Sequence, residues 1–241
     1  MAKQPRIALN VLAKDVENAK QIVSLAEGRV FIGVTAKGFS SVTEAAAVIE
    51  SYQEAGIPVS VGLGAGDAEQ WKKVVEVAIL TKPAHVNQVF PAAGYTLGAL
   101  HAVGSSHTVV NALIAPSGTQ GKVLVTTGPI SQAAPEEISC EAAAAMLAEI
   151  GVHSVKFYPV NGLSRIEEIK KMAQAAVRFG IPVFEPTGGI DEESIRPIVE
   201  VCLEAGVRQV IPHVYTSIVD MDTGLTRLDK VEELLAALPE I

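Results

Sequence analysis

The chain has 241 residues, 49% of them apolar and supplied mostly by Ala, Val, Ile and Leu, enough to bury a sizeable core and to exclude a disordered or fibrous protein. Its 27 acidic and 19 basic side chains give a formal charge of −8 with no Lys/Arg cluster, which excludes a polyanion-binding surface and any nucleic-acid partner. A small anionic ligand remains compatible, because backbone N–H groups bind phosphate without net positive charge.

In chain order, the stretch Met1–Arg6 leads into no apolar leader, and no apolar run reaches bilayer length, so a cytoplasmic chain without a membrane partner is expected. Short Val/Ile-rich segments then alternate with helical ones. The expected strand and helix pairs are Arg6–Val11 with Asp15–Ala26, Arg29–Val34 with Ser41–Ala55, Pro58–Gly62 with Ala68–Leu80, and His85–Val89 with Thr96–Val103. They continue as Thr108–Ile114 with Ser139–Ile150, Ser154–Tyr158 with Arg165–Phe179, Pro182–Glu185 with Arg196–Ala205, and Arg208–Ile211 with Leu228–Leu238. In the sixth helix, Ile166, Ile169, Ala173, Ala176 and Val177 form one apolar stripe. Gly56, Gly151, Gly180 and Gly206 each close a helix just before a β-branched residue restarts a strand, the signature of a left-handed cap.

Repeated short helix-to-strand joints indicate βα units, and eight of them favour a closed (β/α)8 TIM barrel forming a single domain over residues 1–241. One segment breaks the rhythm. Ala115–Gly121 and Lys122–Pro129 read as an excursion at about 115–130, a loop and a short extra strand, unless the second of them is itself the fifth barrel strand. Cys140 and Cys202 form no CxxC pair and read as buried thiols in a reducing compartment.

Functional groups of such a barrel gather at the C-terminal ends of its strands. There the chain sets a lysine, Lys156, among apolar residues in Ser154-Val155-Lys156-Phe157-Tyr158-Pro159. Period-2 alternation puts Lys156 on one face with Ser154 and Tyr158. Facing inward, its ammonium would lose hydration and its pKa would drop, freeing an amine to attack a ketone. Facing outward, it would merely snorkel to water. Pro186-Thr187-Gly188-Gly189, after the seventh strand and opening a helix, reads as a phosphate seat on Thr187, Gly188 and Gly189, or else as a capped loop. Glu185, one residue before it, would sit across the mouth from Lys156 as a proton-transfer group, and His213 at the end of the eighth strand is a second candidate. Asn10, Thr35, Lys37, Asn87, Asn111 and Thr126 lie near other strand ends as possible substrate-orienting groups. Gly62 and Gly64 begin a glycine-rich loop, Gly62-Leu63-Gly64-Ala65-Gly66-Asp67, whose spacing matches no nucleotide fingerprint. His85, His101, His107, His153 and His213 show no HxH or HExxH spacing, so neither a metal nor another cofactor is expected.

With these motifs in order, the chain resembles the 2-dehydro-3-deoxy-phosphogluconate aldolases, in particular the longer bacterial type associated with D-glucosaminate breakdown. The likeness is carried by Lys156-Phe157-Tyr158-Pro159 and Pro186-Thr187-Gly188-Gly189, and extends to Val109–Ile114 and Pro212-His213-Val214-Tyr215. It implies a class I aldolase that cleaves a phosphorylated keto acid into pyruvate and D-glyceraldehyde 3-phosphate, with Lys156 as Schiff-base lysine and no metal. The shorter relatives carry their general acid/base glutamate in a Glu-Val-Thr-like context. Here that region is Gly33-Val34-Thr35, so Glu185, with His213 second, is the expected replacement. A phosphosugar epimerase or isomerase using Glu185 and His213, or a non-catalytic phosphometabolite sensor, are the competing readings. Barrels of this kind are often symmetric assemblies, and a homo-oligomer is expected.

Overall fold

The computed structural model describes residues 5–239. Eight parallel strands form the barrel: β1 (Leu9–Leu12), β2 (Val30–Thr35), β3 (Val59–Gly62), β4 (His85–Val89), β5 (Val109–Pro116), β8 (Ser154–Phe157), β9 (Val183–Pro186) and β10 (Gln209–Val210). They neighbour one another in that order. The sheet closes through parallel bridges Ile7–Val210 and Asn10–His213, and the Asn10 N–H donates to the Pro212 carbonyl at 3.0 Å. Pro212 shortens β10, yet the Ile211 and His213 N–H groups still donate to Phe184 and Pro186 across the joint.

The helices are α1 (Val16–Leu25), α2 (Val42–Glu54), α3 (Trp71–Thr81), α4 (Ala93–Ala102), α5 (Cys140–Ile150), α6 (Ile166–Arg178), α7 (Ile195–Glu204) and α8 (Leu228–Ala237). Side-chain caps from Asp15, Ser41 and Ser139 to backbone N–H groups start three of them. Gly56, Gly151, Gly180 and Gly206 all have positive φ, so the expected left-handed stops are present. On α6, Ile169, Ala173 and Ala176 are buried, with Ile166 and Val177 packed partly against the core.

The excursion is a separate antiparallel ribbon. β5 runs on to Pro116, β6 (Lys122–Leu124) pairs back on it, and β7 (Glu137–Ser139) pairs with β6. β5 is therefore the barrel strand, and the excursion reaches Ser139 rather than ending near residue 130. α4 begins three residues before its expected start, and Ala68–Gln70 forms a 3-10 turn ahead of α3. After Pro186–Gly189, Asp191 and Ser194 close a turn through reciprocal hydrogen bonds of 3.0 and 2.9 Å, and α7 then begins at Ile195, one residue before its expected start.

Alternation along the strands sorts two cores. Val11, Ile32, Val61, Val86, Ile114, Val155 and Phe184 are fully buried outward against the helices, each worth roughly 1.5–3 kcal/mol. The inward positions above the barrel floor hold Asn10, Ser60, His85, Asn87, Asn111, Lys156, Glu185 and His213, where aliphatic side chains usually stack. Hydrogen bonds between non-adjacent strands establish that these groups fill the interior, as from Asn10 on β1 to Ser60 on β3 at 2.8 Å and from Asn111 on β5 to Glu185 on β9 at 2.7 Å. A polar core of this kind is tolerable only when its members are satisfied. Among the described residues the buried side-chain atoms without a partner are Gln70 Oε1 and Thr126 Oγ1, neither of them in this set.

Candidate active site

A cavity of about 630 Å³ opens at the C-terminal ends of the strands. Lys156 reaches into it from β8, so of the two faces left open by alternation the lysine takes the inward one. Its Nζ donates to Asn87 Oδ1 at 2.9 Å and lies 3.0 Å from His213 Nδ1. Burial lowers the ammonium from 10.5 to about 8, although the Glu185 charge pulls the other way. The side chain is only half-buried by surface, so the amine is both partly desolvated and open to a ligand.

His213 lines the same cavity. Burial and the Lys156 charge push its ring down to about 3, against the opposing pull of Glu185, so the imidazole is neutral at physiological pH. Nε2 lies 2.8 Å from Glu185 Oε2, and the carboxylate can only accept, so the ring proton sits there and Nδ1 presents a lone pair toward Lys156. The Tyr215 hydroxyl stands 3.0 Å from the same Nδ1 and donates to Asn10 Oδ1 at 3.2 Å.

Glu185 is not where the sequence suggested. β8 and β9 are adjacent, with Lys156 and Glu185 in register, so the two are neighbours and do not face each other across the mouth. The carboxylate is fully buried beneath the cavity, reached by His85 Nε2 at 2.9 Å, His213 Nε2 at 2.8 Å and Asn111 Nδ2 at 2.7 Å. Burial alone would raise this carboxyl, but the two imidazoles bonded to it, His85 and His213, outweigh that and hold it well below 4.5. It meets the cavity only through His213.

Of the other expected residues, Thr35, Lys37, Gly62, Gly64 and Asn87 line the cavity on the β2–β4 side, and Thr187, Gly188 and Gly189 on the β9 side. Asn10 and Thr126 do not. Asn10 is tied below the cavity to Ser60 and Tyr215, and Thr126 lies in the ribbon segment after β6 with its hydroxyl enclosed. Lys37 Nζ pairs with Asp67 at 3.1 Å on a side chain 59% exposed. The Gly188–Gly189 loop is fixed by backbone bonds from Val160 to the Thr187 carbonyl and from Gly162 to that of Gly188. The Tyr158 ring sits between this loop and the Gly64–Gly66 loop: a Cβ on Gly188 would meet it at 3.2 Å and one on Gly66 at 3.0 Å. Both glycines also have positive φ, so each position excludes a side chain twice over.

Ser60, His85 and Tyr215 are the site residues that sequence reasoning left without a role. A signal existed: each is a polar residue flanked by Val in or just beyond a parallel strand, as in Val59-Ser60-Val61 and Val214-Tyr215.

A (β/α)8 barrel with a partly desolvated lysine amine in its mouth, a neutral histidine on that amine and a glycine-rich loop beyond it defines an enzyme site of the lyase kind. The KDGP aldolase family model matches residues 3–222, and the chain belongs to that family. It is 45% identical to a 2-dehydro-3-deoxy-phosphogluconate aldolase of Salmonella typhimurium (strain 14028s / SGSC 2262), over 95% of this chain and 94% of that one. It is thus a carbon–carbon lyase. Among solved structures, the tryptophan synthase A-subunit of Pyrococcus furiosus superposes with a TM-score of 0.61 at 13% identity, covering 98% of this chain and 100% of that one. KGPDC from Streptococcus mutans gives 0.59 at 10% identity, covering 97% of each chain. At those identities the two share the barrel fold.

Proposed function

We propose that the chain cleaves 2-dehydro-3-deoxy-6-phospho-D-gluconate to pyruvate and D-glyceraldehyde 3-phosphate through a Schiff base on Lys156. The observation that carries this reading is the Lys156 amine, lowered to about 8 and held between Asn87 Oδ1 and His213 Nδ1 at the cavity floor. The neutral amine attacks the C2 ketone, and the carbinolamine loses water to give an iminium. A base takes the C4 hydroxyl proton, the C3–C4 bond breaks, and its electron pair moves into the iminium as an enamine while the aldehyde leaves. Protonation of the enamine at C3 and hydrolysis release pyruvate and regenerate the amine. His213 Nδ1 is the proton carrier, with the Tyr215 hydroxyl beside it. Glu185 keeps His213 in the tautomer that carries the lone pair on Nδ1.

The phosphate is taken by the Thr187-Gly188-Gly189 loop, where backbone N–H groups supply donors that need no cation. The opposite loop, Gly64–Gly66, places three successive residues at positive φ beside Lys37, an arrangement suited to a second anionic group. Lys37→Ala should raise KM by about fivefold with kcat within twofold, since an exposed cation contributes roughly 1 kcal/mol. Steady-state pyruvate release checks this; a loss confined to kcat would place Lys37 in the chemistry instead.

Borohydride trapping with pyruvate tests the mechanism. Because the lysine is lowered, its reactive neutral form grows as pH rises and levels off above about 8. The initial trapping rate should rise through pH 7 to 8 and flatten beyond, with the mass increment on the peptide carrying Lys156. Absence of an adduct, or a rate still climbing steeply toward pH 10, would overturn the Schiff-base reading.

A further inference from the structure

His85 lies below the cavity, fully buried, and takes no part in the steps above. We propose that His85 is a positioning residue for the lyase reaction: by donating to Glu185 from beneath, it locks the carboxylate so that His213 keeps its proton on Nε2 and turns the Nδ1 lone pair to the Lys156 amine. The proposal rests on the Schiff-base reading for what the lone pair does, and on hydrogen-bond accounting for how it is held there.

Ser60 is the branch point of the network. Its Oγ lies 2.8 Å from Asn10 Nδ2, 2.9 Å from Asn87 Nδ2 and 2.8 Å from His85 Nδ1. The amide orientations are forced by their other ends. Asn87 Nδ2 also donates to the Val61 carbonyl while its Oδ1 accepts from Lys156 and Asn111, and Asn10 Oδ1 accepts from Tyr215. Two amide N–H groups therefore occupy the hydroxyl's lone pairs, and its one proton goes to His85 Nδ1. That leaves the His85 proton on Nε2, aimed at Glu185 Oε1 at 2.9 Å. The second carboxylate oxygen takes Asn111 at 2.7 Å and His213 at 2.8 Å.

Every link is directional, so the arrangement has one consistent assignment from Asn10 to Lys156. Without the His85 N–H, Glu185 Oε1 is bare in a dry site and the carboxyl is free to take a proton. A protonated Glu185 donates to His213 Nε2, which drives the His213 proton to Nδ1, donor against donor with the lysine. The base is then lost while all the catalytic side chains are still present. The titratable groups facing this carboxylate are His85 from β4, Lys156 from β8, and His213 and Tyr215 from the β10 end, and no other charged side chain among the described residues lies in the polar network.

The test combines ring nitrogen shifts with kinetics. In the wild-type chain labelled with ¹⁵N-histidine, His213 should show a protonated Nε2 and an unprotonated Nδ1, and a proton on Nδ1 overturns the proposal. In His85→Leu the His213 proton should move to Nδ1, and kcat for pyruvate release should fall about 100-fold with KM within threefold. Its acid pH limb should shift as well. His85→Gln retains an N–H donor toward Glu185 and a carbonyl that accepts from Ser60, and should recover at least tenfold of that loss. A His85→Leu enzyme with unchanged tautomer and pH profile, or a His85→Gln enzyme no better than it, defeats the proposal. If His85→Leu does not fold, Ser60→Ala takes its place: freed of its enforced tautomer, His85 should weaken its hold, with kcat down about tenfold and a mixed His213 tautomer. An unchanged Ser60→Ala enzyme again counts against it. Failure of pyruvate trapping on wild-type Lys156 would sink the Schiff-base reading alone, since the tautomer measurement is independent of it.

Discussion

Lys156→Met is expected to abolish cleavage, by about four orders of magnitude or more, while the protein keeps close to wild-type stability. The activity loss follows from chemistry that no neighbour supplies, because no other amine among the described residues reaches the cavity floor and the nearest cation, Lys37, is paired with Asp67 at the rim. The stability expectation follows from what the lysine leaves behind. Asn87 Oδ1 keeps the Asn111 donor at 2.8 Å, and the one Tyr215 proton serves either His213 Nδ1 at 3.0 Å or Asn10 Oδ1 at 3.2 Å, so a single buried acceptor loses its donor. Removing a partly desolvated ammonium also removes an unfavourable burial. Pyruvate release, borohydride trapping and thermal denaturation together check this. A pyruvate adduct still forming elsewhere on the chain, or cleavage within tenfold of wild type, would show that the lysine serves only as a nearby charge.

The barrel was legible because each parallel strand is buried on its helix-facing side and therefore reads as Val, Ile and Leu, while glycine stops such as Gly151 and Gly180 mark each return. The ribbon was half-legible. Lys122–Leu124 carries a β-branched signal, but Glu137–Ser139 is three residues of exposed and half-exposed chain whose pairing is dictated by β6, not by its own pattern. α4 starts early because Gly94 and the run behind Pro91 weaken the local helix signal that tertiary packing of Ala93 restores.

In the site, strand ends gave the height of Lys156, Asn87 and His213, while alternation put Lys156 on one face with Ser154 and left open whether that face points inward. Periodicity along one strand does not reveal which strand lies alongside, and that is why Glu185 was expected opposite the lysine when it stands next to it. His85 escaped for a related reason. Its significance comes from Ser60 and Glu185, which meet it from two other strands, with Asn10 bonded to Ser60 behind, and none of them shares a local motif with it.

Glu185→Gln changes almost no volume and should nevertheless cost about 3 kcal/mol, lowering Tm by roughly 10 °C, and reduce kcat by about 100-fold or more. The carboxylate accepts three hydrogen bonds with no donor of its own. A glutamine must set its NH2 against one side. Facing His85, it opposes the Nε2–H, and His85 escapes only by moving its proton to Nδ1, where the Ser60 hydroxyl already points its own. Facing the other way, it opposes both Asn111 and His213, and His213 is relieved only by giving up the Nδ1 lone pair that serves Lys156. Stability and activity are thus lost through the same donor conflict. The pH dependence carries the sign: Glu185 is held well below its usual 4.5 in the folded chain, so its contribution is complete above about pH 4.5 and fades as pH falls toward the folded value. The Tm gap between wild type and Glu185→Gln should therefore be widest above pH 5 and narrow in acid. A gap under 1 °C at pH 7.5, or one that widens on acidification, would show that the buried carboxylate does not hold this network together.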